Sequence, residues 1–145
     1  MFKHLLLPTD GSALSEAAVR KGLELAKEQQ ARVSAIHVLP EFHVLSYDTE
    51  MLADTREEFL AHCKTQGEKY MAAVESAARQ AGVPFSAVMT TSDHPHEAIT
   101  QAAESAGCDL IVMASHGRRG LQGLVLGSET QKVLTHSKVP VLVLR

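Results

Sequence analysis

The sequence predicts an open α/β domain, a five-stranded parallel sheet with helices on both faces. Three observations carry this. Short β-rich apolar runs alternate with longer segments of helical period, in the order β-α-β-α-β-α-β-α-β. Two runs, Leu5-Leu6-Leu7 and Leu110 to Ala114, are apolar without alternation, as strands covered on both faces must be. No composition shift, repeat or low-complexity tract divides the 145 residues, so 1–145 reads as a single domain.

The elements follow in order. His4 to Thr9 is the first strand, and its apolar centre suits the middle of a parallel sheet. Asp10-Gly11-Ser12 is a turn, with Ser12 placed to cap the helix that follows. In that helix Leu14, Ala18, Gly22, Leu25 and Ala26 share a face, small enough to lie close on a sheet. Val33 to Leu39 is the second strand, and Pro40 to Glu50 a loop. From about Met51 to Ala81 the period is helical again, with Phe59, Leu60, Cys63, Tyr70, Val74, Ala77, Ala78 and Ala81 aligned. Gly82 closes that helix and Pro84 forbids its extension. Phe85 to Thr90 is a third strand, and the proline before it suggests an edge. Asp93-His94-Pro95 opens a helix carrying Ala98, Ile99, Ala102 and Ala103, which Gly107 ends. Leu110 to Ala114 is the fourth strand. Ser128 with Gln131 makes a capping-box pattern for a helix ending near His136, and Val139 to Leu144 is the last strand.

Composition removes several classes of function. The net charge of −3 offers no basic excess for nucleic acid. Aromatic residues are scarce and tryptophan is absent, so there is no platform for stacking bases. The three leucines before Pro8 are too short for a secretion signal, and no run approaches the ~18 apolar residues of a membrane span. A cytoplasmic protein is expected, with Cys63 and Cys108 as reduced thiols, since their spacing matches no metal or redox motif.

The richest stretch is Ala114-Ser115-His116-Gly117, then nine residues, then Gly127-Ser128. A buried strand that enters a glycine loop and reopens as a helix is a common way to build an anion site. Glycine lets backbone approach the anion, and the helix N-terminus supplies unpaired N–H groups. The loop is not a P-loop, because Gly-Lys-Ser/Thr is missing, and no Gly-x-Gly-x-x-Gly follows the first strand. Gly117, Gly120 and Gly123 with Arg118 and Arg119 form either a cationic ligand loop or a flexible, solvated one. Ligands of such sheets bind beyond the carboxyl ends of strands where the order reverses. If the first and fourth strands are neighbours, Asp10 faces the glycine loop and can accept from ribose hydroxyls or an adenine amino group. Its plainer reading is a turn or cap residue. Ser128 can touch a phosphate oxygen, cap its helix, or do both.

Of the eight histidines, His94 and His96 flank Pro95 beside Asp93, and His37, His43 and His116 could fall on one sheet edge. None has ligand spacing, so no metal site is expected. Catalytic residues are not expected either. His116 reads equally as a general base or as a backbone-capping side chain.

This arrangement resembles the universal stress protein family along the whole chain. The resemblance rests on the opening Leu-Leu-Pro-Thr-Asp-Gly-Ser, the His37-Val38 pair, Asp109-Leu-Ile-Val-Met before the loop, and the closing Val139-Pro-Val-Leu-Val. Nucleotide-binding members carry Gly, two residues, Gly, nine residues, then Gly-Ser/Thr. Gly117, the nine-residue gap and Gly127-Ser128 match, while Ala114 replaces the first glycine. The resemblance implies the strand order 3-2-1-4-5. It also implies a stress-response protein holding ATP or a related adenine nucleotide, with Mg2+, and acting by its bound state. Asp10 would meet the ribose and Val38 the adenine. Ala114, Gly117, Gly127, Ser128 and the backbone of Glu129 would meet ribose and phosphates, with Pro8, Thr9, Met113 and Arg118 completing the contacts. Members lacking the pattern act as dimers without ATP, and a slow phosphohydrolase is the enzymatic alternative. The partners expected are a downstream protein that the sequence does not name and a second copy of this chain. In the implied order the strand within 139–144 is an apolar edge blunted only by Arg145, and antiparallel pairing with a second copy removes both edges.

Overall fold

The leucines of β1 (His4–Pro8) are fully buried because both faces of the strand are covered, and β1 runs through the middle of the sheet. A computed structural model describes residues 1–43, 49–117 and 126–145. In chain order the remaining elements are α1 (Ala13–Gln29), β2 (Arg32–Leu39), α2 (Thr49–Ala81), β3 (Phe85–Thr91), α3 (Pro95–Ser105), β4 (Leu110–Ala114), α4 (Ser128–His136) and β5 (Val141–Leu144). The five strands are parallel in the order β3-β2-β1-β4-β5, as expected. β1 pairs with β2 from His4↔Arg32 to Pro8↔Ile36, and with β4 at Leu5↔Leu110 and Leu6↔Ile111. The edge expected for β3 is present.

Two cores flank the sheet. Alternate side chains of the strands meet α1 and α2 on one face, where Leu5, Leu7, Val33, Ala35 and Val112 pack with Val19, Leu23, Met71, Val74 and Ala78. On the other face Leu6, Ile36, Ile111 and Met113 pack with Ile99, Ala103 and Val133 of α3 and α4. Each fully buried leucine or isoleucine contributes about 1.5–3 kcal/mol. α1 lies so close to β1 that a Cβ on Gly22 would stand 2.5 Å from Leu7 Cδ2.

Some local expectations shift. The buried face of α1 is centred on Ala18, Gly22 and Ala26 but turns to include Val19 and Leu23, leaving Leu14 and Leu25 only half-buried. In α2, Leu60 is exposed and Met71 is buried, because the helix meets the sheet mainly in its second half. α2 begins at Thr49, so the loop expected to Glu50 is shorter at that end, and residues 44–48 lie outside the described ones. β5 starts at Val141. Pro140, lacking an N–H, sits just before it and gives its carbonyl to the Ile111 N–H. Ser12 caps α1 through its side chain, as read from the sequence.

A polar chain crosses three strands, buried at His4 and Ser34 and reaching the surface at Ser86. His4 Nε2 lies 2.7 Å from Ser34 Oγ, which lies 2.8 Å from Ser86 Oγ. Asp109 at the start of β4 receives the backbone N–H groups of Lys3 and His4. Burial works against its charge, and these bonds outweigh it, holding the carboxyl below its usual range.

Candidate functional site

The strand order reverses between β1 and β4, so the loops that leave their carboxyl ends diverge to opposite faces and leave a crevice. On the β1 side Thr9 is buried, donating its N–H to the Ile36 carbonyl and receiving His37 Nδ1 at its own carbonyl, 2.9 Å away. The Asp10 carboxylate is half-buried and turns back on the chain, where Oδ1 accepts the Ser12 N–H at 2.9 Å. Gly11 has a φ of +76°, and a side chain there would overlap the Tyr70 ring. Tyr70 meets His37 edge to face with 5.2 Å between centroids, and Gly67 leaves room for the His37 imidazole under α2. The loop bearing Asp10 is therefore held from β2 and α2. A histidine within the strand Val33 to Leu39 was the available signal for this contact, and sequence reasoning did not link it to the Asp10 loop.

On the β4 side the backbone folds back at once. Ser115 N–H donates to the Leu144 carbonyl, and the Ser115 carbonyl accepts the Gly127 N–H at 2.8 Å. Thr130 Oγ1 donates to the Ala114 carbonyl at 3.0 Å, so the first turn of α4 is clamped to the end of β4. A Cβ on Gly127 would stand 3.1 Å from the Ser115 carbonyl oxygen and 3.3 Å from His116 Cα, so a side chain there would force this backbone to give by a few tenths of an ångström. The capping box read at Ser128 does not form. Gly127 is the N-cap and offers no side chain, Ser128 is the first helical residue and exposed, and Gln131 Nε2 donates to the Leu126 carbonyl. Register along the chain decides this, since α4 starts one residue earlier than a Ser128 cap requires. His116 is buried, with Nδ1 3.0 Å from Ser115 Oγ.

The two halves meet where a Cβ on Gly117 would fall 2.6 Å from Asp10 Oδ2, so the carboxylate lies against the bare Cα of the glycine loop. Pro8, Thr9, Met113 and Ala114 line the strand ends beside this point and are buried. Val38 is half-buried near the end of β2, on the α3 and α4 face with Met113. By strand alternation Ala114 belongs to the other face, with Val112 and α1. Gly127 and Ser128 stand at the mouth. The Glu129 carboxylate does not join them; it points to α3. Arg118 lies outside the described residues, with Arg119, Gly120 and Gly123.

Among the described residues Glu41, His43 and Asp93 bring ligand-type atoms within 4.8 Å of one another, all exposed. His43 Nε2 is already spent on Asp93 Oδ2, and Asp93 Oδ1 receives the Glu41 N–H. Desolvation opposes the charge on Asp93, and the His43 and Glu41 bonds hold its pKa below the usual value. His94, His96 and His136 form a ring row with centroids 6.2 and 5.6 Å apart.

A doubly wound α/β sheet with a tight glycine contact at its switch point and a helix opening beside it defines an α/β domain of the kind that binds ligands at the carboxyl ends of its strands. The chain belongs to the universal stress protein family, whose model matches residues 1–145. Universal stress protein YxiE of Bacillus subtilis is 34% identical over 149 aligned positions, covering 100% of both chains. The solved structure of the Methanocaldococcus jannaschii protein MJ0577 superposes with a TM-score of 0.83 at 28% identity, covering 99% of this chain and 96% of that one. A universal stress protein solved in complex with cAMP shares the fold at a TM-score of 0.73 and 21% identity, covering 99% and 97%. Among the described residues no helix is long and apolar enough to cross a membrane.

Proposed function

We propose that this universal stress protein binds ATP or a related adenine nucleotide in the crevice between the loops after β1 and β4, and signals by its bound state. One observation carries the reading: the Asp10 carboxylate lies against the side-chain-free Cα of Gly117, beside a helix whose N-cap is a glycine. A carboxylate there suits ribose hydroxyls, and the N–H groups of Ser128 and Glu129 suit phosphates. Pro8, Thr9, Val38 and Met113 would wall the base and sugar, and Mg2+ would accompany the phosphates. The cAMP complex of a more distant family member supports an adenine ligand. Ala114 is compatible with it, because alternation turns its methyl group toward α1, away from Val38, Met113 and the α4 terminus. The unpaired Cys63 and Cys108 support a reducing compartment, the cytoplasm. β5, an edge strand with Leu142 exposed, would pair antiparallel with its copy in a homodimer.

Titration calorimetry with ATP and Mg2+ tests the ligand, and phosphate release tests turnover. Saturable heat without phosphate release is the expected result. Release of phosphate at a steady rate would favour the phosphohydrolase. No heat and no thermal shift at millimolar ATP would leave a dimer that holds no nucleotide.

A further inference from the structure

Glu129 presents an electrostatic problem for any anion at the crevice. It is the second residue of α4, and a carboxylate in a first turn is drawn to the same N–H groups that an anion needs. The structure spends that charge elsewhere. Glu129 Oε2 accepts the His96 backbone N–H at 2.9 Å and faces His96 Nδ1 at 3.1 Å, while Oε1 faces Lys132 Nζ at 3.3 Å. His96 lies in the first turn of α3, and the α3 N-cap residue, His94, makes no side-chain cap bond. Two helix N-termini thus stand side by side at the carboxyl edge of the sheet. Glu129 caps α3 in place of the missing side chain, and the terminus of its own helix keeps its N–H groups. The His96 ring is shielded, its side chain only 12% exposed, between Glu129, His94, His136 and Glu97. A shielded donor with fixed neighbours can hold a carboxylate in one place. Burial raises the Glu129 pKa, but the His96 and Lys132 bonds prevail and keep it charged.

We propose that His96 is a positioning residue for the anion subsite. By seating the Glu129 carboxylate on α3 it keeps that charge off the N-terminus of α4, and so sets how many phosphate charges the crevice tolerates. This rests on the nucleotide reading above. It predicts a dependence on ligand charge that a purely structural role would lack. The experiment compares adenosine, AMP and ATP, each with Mg2+, by calorimetry on wild type, His96→Phe, His96→Asn, Glu129→Gln and the His96→Phe/Glu129→Gln pair. His96→Phe should weaken ATP about two- to fivefold, the usual effect of one charge near a helix terminus. It should weaken AMP less and leave adenosine unchanged. Adding Glu129→Gln should restore ATP binding, and His96→Asn, whose amide nitrogen lies near the place of Nδ1, should stay near wild type. Equal losses for all three ligands, or a loss that Glu129→Gln does not recover, would overturn the proposal. Should His96→Phe not fold, Glu129→Gln alone decides: it should hold ATP at least as tightly as wild type, with adenosine unchanged, and weaker ATP binding counts against the idea. If wild type takes up none of the three, the nucleotide reading falls and takes this inference with it. If wild type binds ATP and His96→Phe binds it equally well, only the role of His96 falls.

Discussion

Replacing Gly117 with alanine isolates the contact at the centre of the crevice. Gly117 is not among the glycines with positive φ, so alanine meets no backbone strain there. Its Cβ would instead arrive 2.6 Å from Asp10 Oδ2, closer than carbon and oxygen tolerate by more than about half an ångström. The carboxylate must swing away, and its other oxygen then loses the Ser12 N–H. A hydrogen bond to a charged group contributes about 1.5–3 kcal/mol, and the half-buried position puts this one at the low end, so a loss of about 1–2 kcal/mol is expected. For a chain of this length that is a fall in melting temperature of about 2–4 °C per kcal/mol. The same geometry means that Asp10→Ala will cost some stability through the lost Ser12 N–H bond. Urea unfolding of a double-mutant cycle reads the coupling. With Asp10→Ala already present the obstacle is gone, and Gly117→Ala should become neutral or stabilising by about 0.4–1 kcal/mol, through the unfolded chain. If the two changes add to within about 0.5 kcal/mol, the contact is not what constrains Gly117 and the reasoning is refuted.

Other outcomes follow from the same structure. Gly127→Val should abolish the calorimetric signal for ATP, because its Cβ would press on the Ser115 carbonyl and His116 backbone, whereas Ala114→Gly should leave binding unchanged or tighter. His4 is buried, and desolvation, helped by Arg32, lowers its pKa from 6.5. The unfolded chain therefore takes up a proton that the folded one resists, so stability should fall as pH drops below 6.5 and be unaffected above it. His4→Gln should flatten that slope in unfolding measured on both sides of pH 6.5. Burial pushes the Cys108 thiol up to about 11, so a thiol reagent at neutral pH should modify half-buried Cys63 in the native protein and reach Cys108 only after denaturation. Light scattering should give twice the 15.7 kDa chain mass, and Leu142→Lys should return it to the monomer without unfolding; Val141 and Val143 are poorer sites, being packed toward α3 and α4.

The strands were legible because burial on both faces writes an unbroken apolar run, and Leu5 to Leu7 and Leu110 to Ala114 carried it plainly. The order of the strands was not written in any period; it came from the resemblance. The crevice was legible in part. Asp10 and Gly117 follow the two strands whose ends must meet, so chain order alone pointed to both. Glu129 with His96, and His37 with Thr9, join elements 33 and 28 residues apart and leave no periodic trace. The α1 face was misjudged at Leu14 and Leu25 because helical period defines a stripe, while the sheet beneath decides which side of that stripe is covered. A cap at Ser128 was the best local choice, but the Gly127 N–H bond to the Ser115 carbonyl set where the helix could begin.

The polar chain from His4 through Ser34 to Ser86 bears on how the strands find one another. Neighbouring apolar strands offer little to tell one alignment from the next, since valine opposite alanine differs little from alanine opposite isoleucine. Ser34 faces Ser86 in the β2–β3 pairing, and His4 reaches the same hydroxyl from β1. A shift of β2 by one residue would send Ser34 to the other face and leave an imidazole and a hydroxyl facing hydrocarbon. Each such orphan costs about 1–3 kcal/mol, a large part of the stability of a domain this size. Misaligned sheets are thereby penalised during assembly, at the end of the sheet farthest from the crevice, so that Asp10 and Gly117 meet only when the strands have been threaded correctly.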